Sequence, residues 1–207
     1  MRGCGIAACV LGASLVVSIA GAAIAEPVPA PFVTPQRDVD VTYWIAGPDK
    51  GLDPGKPAIA TQRMRWSASL WRQRLDPPGS AVMITDYRSR TLLVIEPAAR
   101  DAPSGTGPVA VLLPAPASGV QPSGVRATGS YRRAGEQTIA GVSCTEWRMP
   151  DDSGTESVVC FTADGVMLRA RHGDHTLIEA ARISYATQDP ALFSAPPGTT
   201  IRTPPAR

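Results

Sequence analysis

The sequence predicts a mainly β protein, and three observations carry that expectation. Met64, Trp66, Ala68 and Leu70 alternate with Arg63, Arg65, Ser67 and Ser69, the period-two pattern of a half-buried strand with one wet face. Short apolar runs in the C-terminal third are separated by Asp164-Gly165 and Gly173-Asp174, which favour tight hairpins. No long stretch carries the 3.6-residue period of a helix, and no internal repeat is visible.

The elements follow in order. Residues 26–36 (EPVPAPFVTPQ) carry four prolines and read as a disordered or extended arm. Arg37–Ala46 is a first strand, with Val39, Val41 and Tyr43 on one face. Gly47–Lys56 is a turn rich in Gly, Pro and Asp. A strand starts at Thr61 and is broken by Asp76-Pro77-Pro78-Gly79. Ala81–Tyr87 and Thr91–Glu96 are short strands joined by Arg88-Ser89-Arg90. Both are apolar on both faces, so each face needs a cover. Pro97–Gly129 is dominated by Ala, Pro, Gly and Ser. Within it only Val109–Leu113 reads as a buried strand or part of a short helix. Ser130–Thr138 is a strand, and Ala140-Gly141 ends a short turn. Val142–Met149, Thr155–Phe161, Val166–Arg171 and Thr176–Tyr185 continue an antiparallel meander. From Pro190 the chain reads as a tail, with 199–207 frayed beyond a domain spanning 37–198.

Composition bounds the class. The chain has 207 residues, enough for one domain with a sizeable core. The hydrophobic fraction of 43% argues against wholesale disorder. Gly (19) and Pro (21) are enriched but stay below the roughly 25–30% that marks low complexity. A formal net charge of +2 excludes a strongly basic nucleic-acid binder on charge grounds.

The N-terminus reads as a secretory signal peptide over residues 1–25. Arg2 precedes an apolar stretch from Ile6 to Ile24, and Ala23-Ile24-Ala25 supplies a cleavage signal after Ala25. The alternatives are an uncleaved membrane anchor and a lipobox at Ile6-Ala7-Ala8-Cys9. The A-x-A and the proline-rich sequence after it favour cleavage, and most of the apolar stretch follows Cys9 rather than preceding it. No later segment is apolar over the 18 residues a membrane span needs. The expectation is an exported, periplasmic protein with no transmembrane segment after cleavage.

Cys4 and Cys9 leave with that leader, and Cys144 and Cys160 remain as an even pair in an oxidising compartment. Asp151-Asp152-Ser153-Gly154 is a turn signal. A hairpin centred on 152 places Cys144 directly opposite Cys160 and Arg148 opposite Glu156. Closing such a loop is worth about 3 kcal/mol in the chain-entropy model. The redox alternative normally uses Cys-x-x-Cys, which is absent.

Several stretches resemble a known group. Gly135–Trp147 contains Ala-Gly-Val-Ser-Cys-Thr-Glu-Trp. Val159-Cys160-Phe161 leads to Ala163-Asp164-Gly165-Val166-Met167-Leu168-Arg169, and the chain closes with Asp189-Pro190-Ala191-Leu192-Phe193 and Pro196-Pro197-Gly198. This is similar to periplasmic proteins of the LolA/LolB-like, lipoprotein carrier-like superfamily, over roughly Val39–Gly198 and most clearly Gly135–Gly198. The resemblance implies a curved antiparallel sheet forming an unclosed half β-barrel, with short helices or loops covering the concave face. It also implies an apolar hollow for acyl chains. The chain departs from the true carriers in its proline-rich stretch 97–129, which shows no amphipathic helix, so lipoprotein transfer itself does not carry over with the architecture.

The candidate hollow is lined by Met64, Trp66, Ala68 and Leu70, joined by Trp147 and Leu168. Met and Trp adapt to irregular apolar ligands, but the same residues also serve as plain core. The expected function is binding of a hydrophobic or amphipathic, acyl-chain or lipid-like ligand. The alternative is a non-enzymatic envelope module, structural or protein-binding, with a filled core. Arg63, Arg65, Arg72 and Arg74 offer an anion-binding face, though genome composition equally favours Arg over Lys. His172 and His175 would face each other across the Gly173-Asp174 turn, beside Asp174. They form either a weak metal clamp or a solvated tip, and no nearby Cys, His or acidic cluster adds a fourth ligand. The Asp151-Asp152 pair reads as a solvated turn. No Gly-x-Ser-x-Gly elbow, phosphate loop or dinucleotide fingerprint is present. The reading therefore assigns no catalytic residue, no metal and no cofactor, and expects a lipid or envelope-protein partner rather than nucleic acid.

Overall fold

The computed structural model describes residues 29–46, 60–96, 107–115, 124–150 and 155–204. The leader 1–25, the Gly47–Lys56 turn and the Asp151–Gly154 turn lie outside the described residues. Among the described residues there are twelve strands: β1 (Val39–Ile45), β2 (Ala60–Ser67), β3 (Arg72–Asp76), β4 (Val82–Asp86), β5 (Thr91–Glu96), β6 (Val109–Pro114), β7 (Arg132–Ile139), β8 (Val142–Pro150), β9 (Glu156–Phe161), β10 (Met167–His172), β11 (His175–Ser184) and β12 (Thr200–Arg202). A single 3-10 helix, Pro190–Phe193, precedes β12 among the described residues.

All twelve strands form one sheet, in the order β12-β6-β5-β4-β3-β2-β1-β11-β10-β9-β8-β7. Two meanders flank β1: β2 to β6 on one side, β11 back to β7 on the other. Every neighbouring pair is antiparallel except β12–β6. The fold is mainly β and the sheet is open, with β7 and β12 at its edges. It is also curved. Strands β7 and β11 are four ladder steps apart, about 19 Å in a flat sheet, yet their Cα atoms come within 8 Å.

Curling brings distant strands into one core. Val39, Val41, Tyr43, Met64, Trp66, Ile139, Cys144, Cys160, Val166, Leu168 and Ala180 form the main cluster. On β8 and β9 alternate residues point to opposite faces. Cys144 and Cys160 belong to the main cluster, while Trp147, Val159 and Phe161 pack on the other face with Val33 and Tyr131. A third cluster joins Ile84, Ile95 and Ala110 to Phe193 of the 3-10 helix.

Several elements differ from expectation, each for a physical reason. The stretch from Thr61 to Asp76 is a hairpin, β2 and β3, rather than one strand. It turns at Ala68–Trp71, where Trp71 takes φ 56°. Its carbonyl accepts from the N–H of Tyr87 (3.0 Å), and Arg88 stacks 5.1 Å from its ring centroid. Tertiary contacts thus hold a bulky residue in a conformation that usually needs glycine.

The Asp164-Gly165 turn is a three-residue loop, Ala163–Gly165. Thr162 N–H donates to the Val166 carbonyl (2.9 Å) and Gly165 N–H to the Thr162 carbonyl (3.0 Å). Gly165 at φ 91° makes this a type I turn closed by a glycine bulge.

The cysteine hairpin is shifted by two residues from the expected register. Glu146, not Cys144, opposes Cys160, and Arg148 opposes Val158. The disulfide forms nonetheless, with Cα atoms 5.5 Å apart. The Arg148–Glu156 ion pair forms diagonally at 3.0 Å.

Neither terminal segment is loose where it is described. Pro31 and Thr34 are buried, Val33 N–H donates to Val125 (3.0 Å), and Ala127 N–H donates to Pro31 (2.8 Å). The tail expected to fray instead buries Phe193 and adds β12 to β6 as a parallel strand. The Val109–Leu113 alternative resolves as strand, β6.

Candidate functional site

The six residues expected to line one hollow are distributed over three clusters. Met64, Trp66 and Leu168 sit in the main core, and Ala68, in the β2–β3 turn, packs against it. Leu70 joins the Phe193 cluster, and Trp147 lies in the Val159 and Phe161 cluster. Trp66 and Leu168 are fully buried. Trp66 meets Tyr87 edge-on at 5.2 Å, and its indole Nε1 finds no hydrogen-bond partner. Protein side chains therefore fill the space around Trp66, where a hollow was expected.

Apolar surface that is only half-buried lies further along the same face. Antiparallel register puts Val41, Met64, Leu75, Met83, Val94 and Val111 in one cross-strand row from β1 to β6. Directly opposed residues share a face, so the row lies on the Val41 and Met64 side. A second row runs Trp66, Gln73, Thr85, Leu92, Leu113. Val41, Met64 and Trp66 are buried, whereas Leu75, Met83, Val94, Val111, Leu92 and Leu113 are half-buried. On the opposite face of the same strands, Ile84, Ile95 and Ala110 are buried under Phe193. The sequence hinted at this surface, because β4 and β5 are apolar on both faces. It hid which face would stay uncovered.

The arginines are already engaged. Arg63 pairs with Asp40, and Arg65 with Asp76 at 2.6 Å. Arg72 pairs with Asp86 at 2.8 Å, and Arg74 with Asp76 at 2.7 Å. Arg72 and Arg74 also donate to the carbonyls of Phe193 (3.3 Å) and Leu192 (2.8 Å). These last two guanidinium groups fasten the 3-10 helix to the sheet instead of presenting a cationic face.

His172 and His175 are direct partners across the β10–β11 turn, as expected. Ser157 Oγ approaches His172 Nδ1 at 3.4 Å. Among the described residues no group of three or more His, Cys, Asp and Glu is placed to hold a metal.

Two polar anchors position the first strand. The Asp38 carboxylate accepts from the backbone N–H of Ala68 and of Gln188, each at 2.8 Å. Asp164 gathers the Thr162 hydroxyl (2.6 Å), Arg37 Nε (2.7 Å) and the Tyr185 hydroxyl (3.1 Å). Burial pushes the Asp164 carboxyl up, but those donors together outweigh it and hold it below the usual carboxylate value. Arg37 also lies 3.8 Å from the Tyr185 ring centroid. Tyr43 donates to the Met167 carbonyl at 2.7 Å, and its burial raises its pKa.

No helix among the described residues is long and apolar enough to cross a membrane. No protein-family model matches the chain, and no curated protein matches its sequence. Solved structures do. A crystal structure of an uncharacterised conserved protein from Thermus thermophilus aligns with a TM-score of 0.53 at 12% identity, covering 82% of this chain and 91% of that one. A structure of PNGF-II aligns with a TM-score of 0.51 at 12% identity, covering 82% of this chain but 31% of that one, so the chain spans about a third of PNGF-II. At such identity the likeness establishes a shared sheet architecture alone.

Proposed function

We propose that the protein is an exported, periplasmic binding protein for a hydrophobic or amphipathic ligand of the acyl-chain or lipid class. In this reading the leader is cleaved after Ala25 and the chain is kin to the LolA/LolB-like carriers. The observation that supports it most is the apolar face of β3 to β6. There the row Leu75, Met83, Val94, Val111 continues the buried core row yet stays half-buried. Half-buried aliphatic surface of this continuity favours an apolar ligand through the further removal of its exposed part from water. The ligand-lining residues then move from Trp66 to Met83, Leu92, Val94, Val111 and Leu113.

A second reading, an envelope structural or protein-interaction module, draws on the complete burial of Trp66 and Leu168. Native mass spectrometry of the chain from Glu26, followed by organic extraction, separates the two. Co-purifying acyl species that Val94→Glu abolishes, with folding retained, support the carrier. A clean apo mass that takes up no fluorescent fatty acid overturns it in favour of the interaction module.

A further inference from the structure

A cavity of about 210 Å³ opens between the N-terminal arm and the face of β8 and β9 that faces away from the disulfide. Trp147 and Phe161, 6% and 8% exposed, bound it on the sheet side, and Pro31 and Phe32 bound it on the arm side. Among the described residues that line it, Arg126 and Arg133 are the only charged ones, and no carboxylate lines it. The arm is held in place. Arg126 lies 4.1 Å from the Phe32 ring centroid and donates to the Ala30 carbonyl at 2.5 Å. Phe32 also bridges the Arg126 backbone. Arg133 opposes Trp147 across β7 and β8 and pairs with Glu136.

We infer that this cavity binds a small monocyclic aromatic carboxylate. Its volume is below the roughly 300 Å³ at which drug-sized pockets begin, which suits a single ring. Its walls are flat: two phenyl rings from the floor and the arm, an indole, and proline faces, all of which pack well against a ring. The charged side chains lining it are both guanidinium. The exposed Arg133–Glu136 pair must give way to a bound carboxylate, whose planar geometry the guanidinium fork matches. The site is independent of the acyl-binding face, since it lies under the arm and against a different cluster.

Titration of the isotopically labelled protein with phenylacetate tests it, with the Trp147 indole N–H resonance as the reporter and benzyl alcohol as the uncharged control. The expected result is saturable shifts centred on Trp147, with a Kd of about 1 mM or below. Binding should weaken about tenfold for benzyl alcohol and for Arg133→Gln, as loss of a charge-assisted hydrogen bond predicts. Thr145→Phe, which fills the cavity, should abolish the shifts. No saturation at about ten times that concentration overturns the proposal. So does equal binding of benzyl alcohol, or undiminished binding to Arg133→Gln or to a folded Thr145→Phe.

Discussion

Gly165 lies against the main chain of Thr34: a β-carbon at position 165 would stand 2.4 Å from the Thr34 carbonyl oxygen and 2.9 Å from its carbon. The glycine also sits at φ 91°, a conformation that side chains resist. The loop between β9 and β10 is thereby a seat for the N-terminal arm. Gly165→Ala must strain the loop, displace the arm, or both. The expected loss is at least about 1–3 kcal/mol of stability, read from chemical denaturation. Amide exchange should accelerate at Val33 and Gln36, whose N–H groups bond to Val125 and Asp164.

The Asp164 cluster makes this seat sensitive to acid. Burial raises its carboxyl, but the Thr162, Arg37 and Tyr185 donors more than offset this and leave it depressed in the fold. A depressed carboxylate stabilises the native state above its unfolded value, and that contribution is lost as pH falls through the folded value. Asp86 is depressed as well. Burial raises it, and the N–H of Ser89, the Arg72 pair and the Arg88 N–H lower it further than burial lifts it. Stability should therefore decline below the ordinary carboxylate range. Asp164→Asn should flatten part of that acid limb, and adding Asp86→Asn should flatten more. Equal acid slopes in wild type and double variant would refute the assignment.

The disulfide closes a sequence separation of 16 residues across β8 and β9. The chain-entropy model gives about 3 kcal/mol for a loop of this size. Reduction, or Cys144→Ala with Cys160→Ala, should lower the denaturant midpoint accordingly without changing the fold. The oxidised chain from Glu26 should titrate no free thiol, and two reactive thiols would contradict the bridge.

Phe193 tests the C-terminal docking. It is 2% exposed and packs with Ile84, Ile95 and Ala110. Phe193→Ala should cost about 3–5 kcal/mol, the usual penalty for emptying a buried aromatic site. Arg74→Ala breaks both the Asp76 pair and the Leu192 carbonyl bond. It should loosen the 3-10 helix, seen as faster exchange at the Leu192 amide, which bonds to the Asp189 carbonyl. A tail that truly frayed would leave stability unmoved by Phe193→Ala and Leu192 exchange unmoved by Arg74→Ala.

Much of the meander was legible because its turns announce themselves. Gly173 and the Ala140-Gly141 pair take positive φ, and short strand-like runs lie on either side of them. The β2–β3 turn was not legible, since Trp71 adopts its unusual φ only through Tyr87 and Arg88, which are distant choices of the fold. The polar face of Arg63 and Arg65 was visible in the alternation, but it is not wet throughout, since Arg65 and Ser67 are buried. Its neutralisation was not visible, because Asp40 and Asp76 reach it from neighbouring strands whose register no single strand reveals. Likewise, Phe193 sits among prolines that read locally as a tail, and only the buried Ile84 face explains its anchoring. The candidate site suffered most. Trp66 looked like a lining residue because nothing local distinguishes a filled core from a hollow, and the open face was decided by where the 3-10 helix docks.

The position of β1 has a kinetic consequence. Asp40 pairs with Arg65 on one side and with Ser184 on the other, so one flank of β1 waits for nearly the last strand to be synthesised. A chain emerging N-terminus first can zip β1 to β6 early, but it must hold the outer flank of β1 unpaired meanwhile. Such a flank is a template for wrong partners, and pairing of this sequence span slows folding. The protein's passage to its native state is therefore most vulnerable to aggregation in the interval before β11 arrives, and a chaperone that shields strand edges would act there.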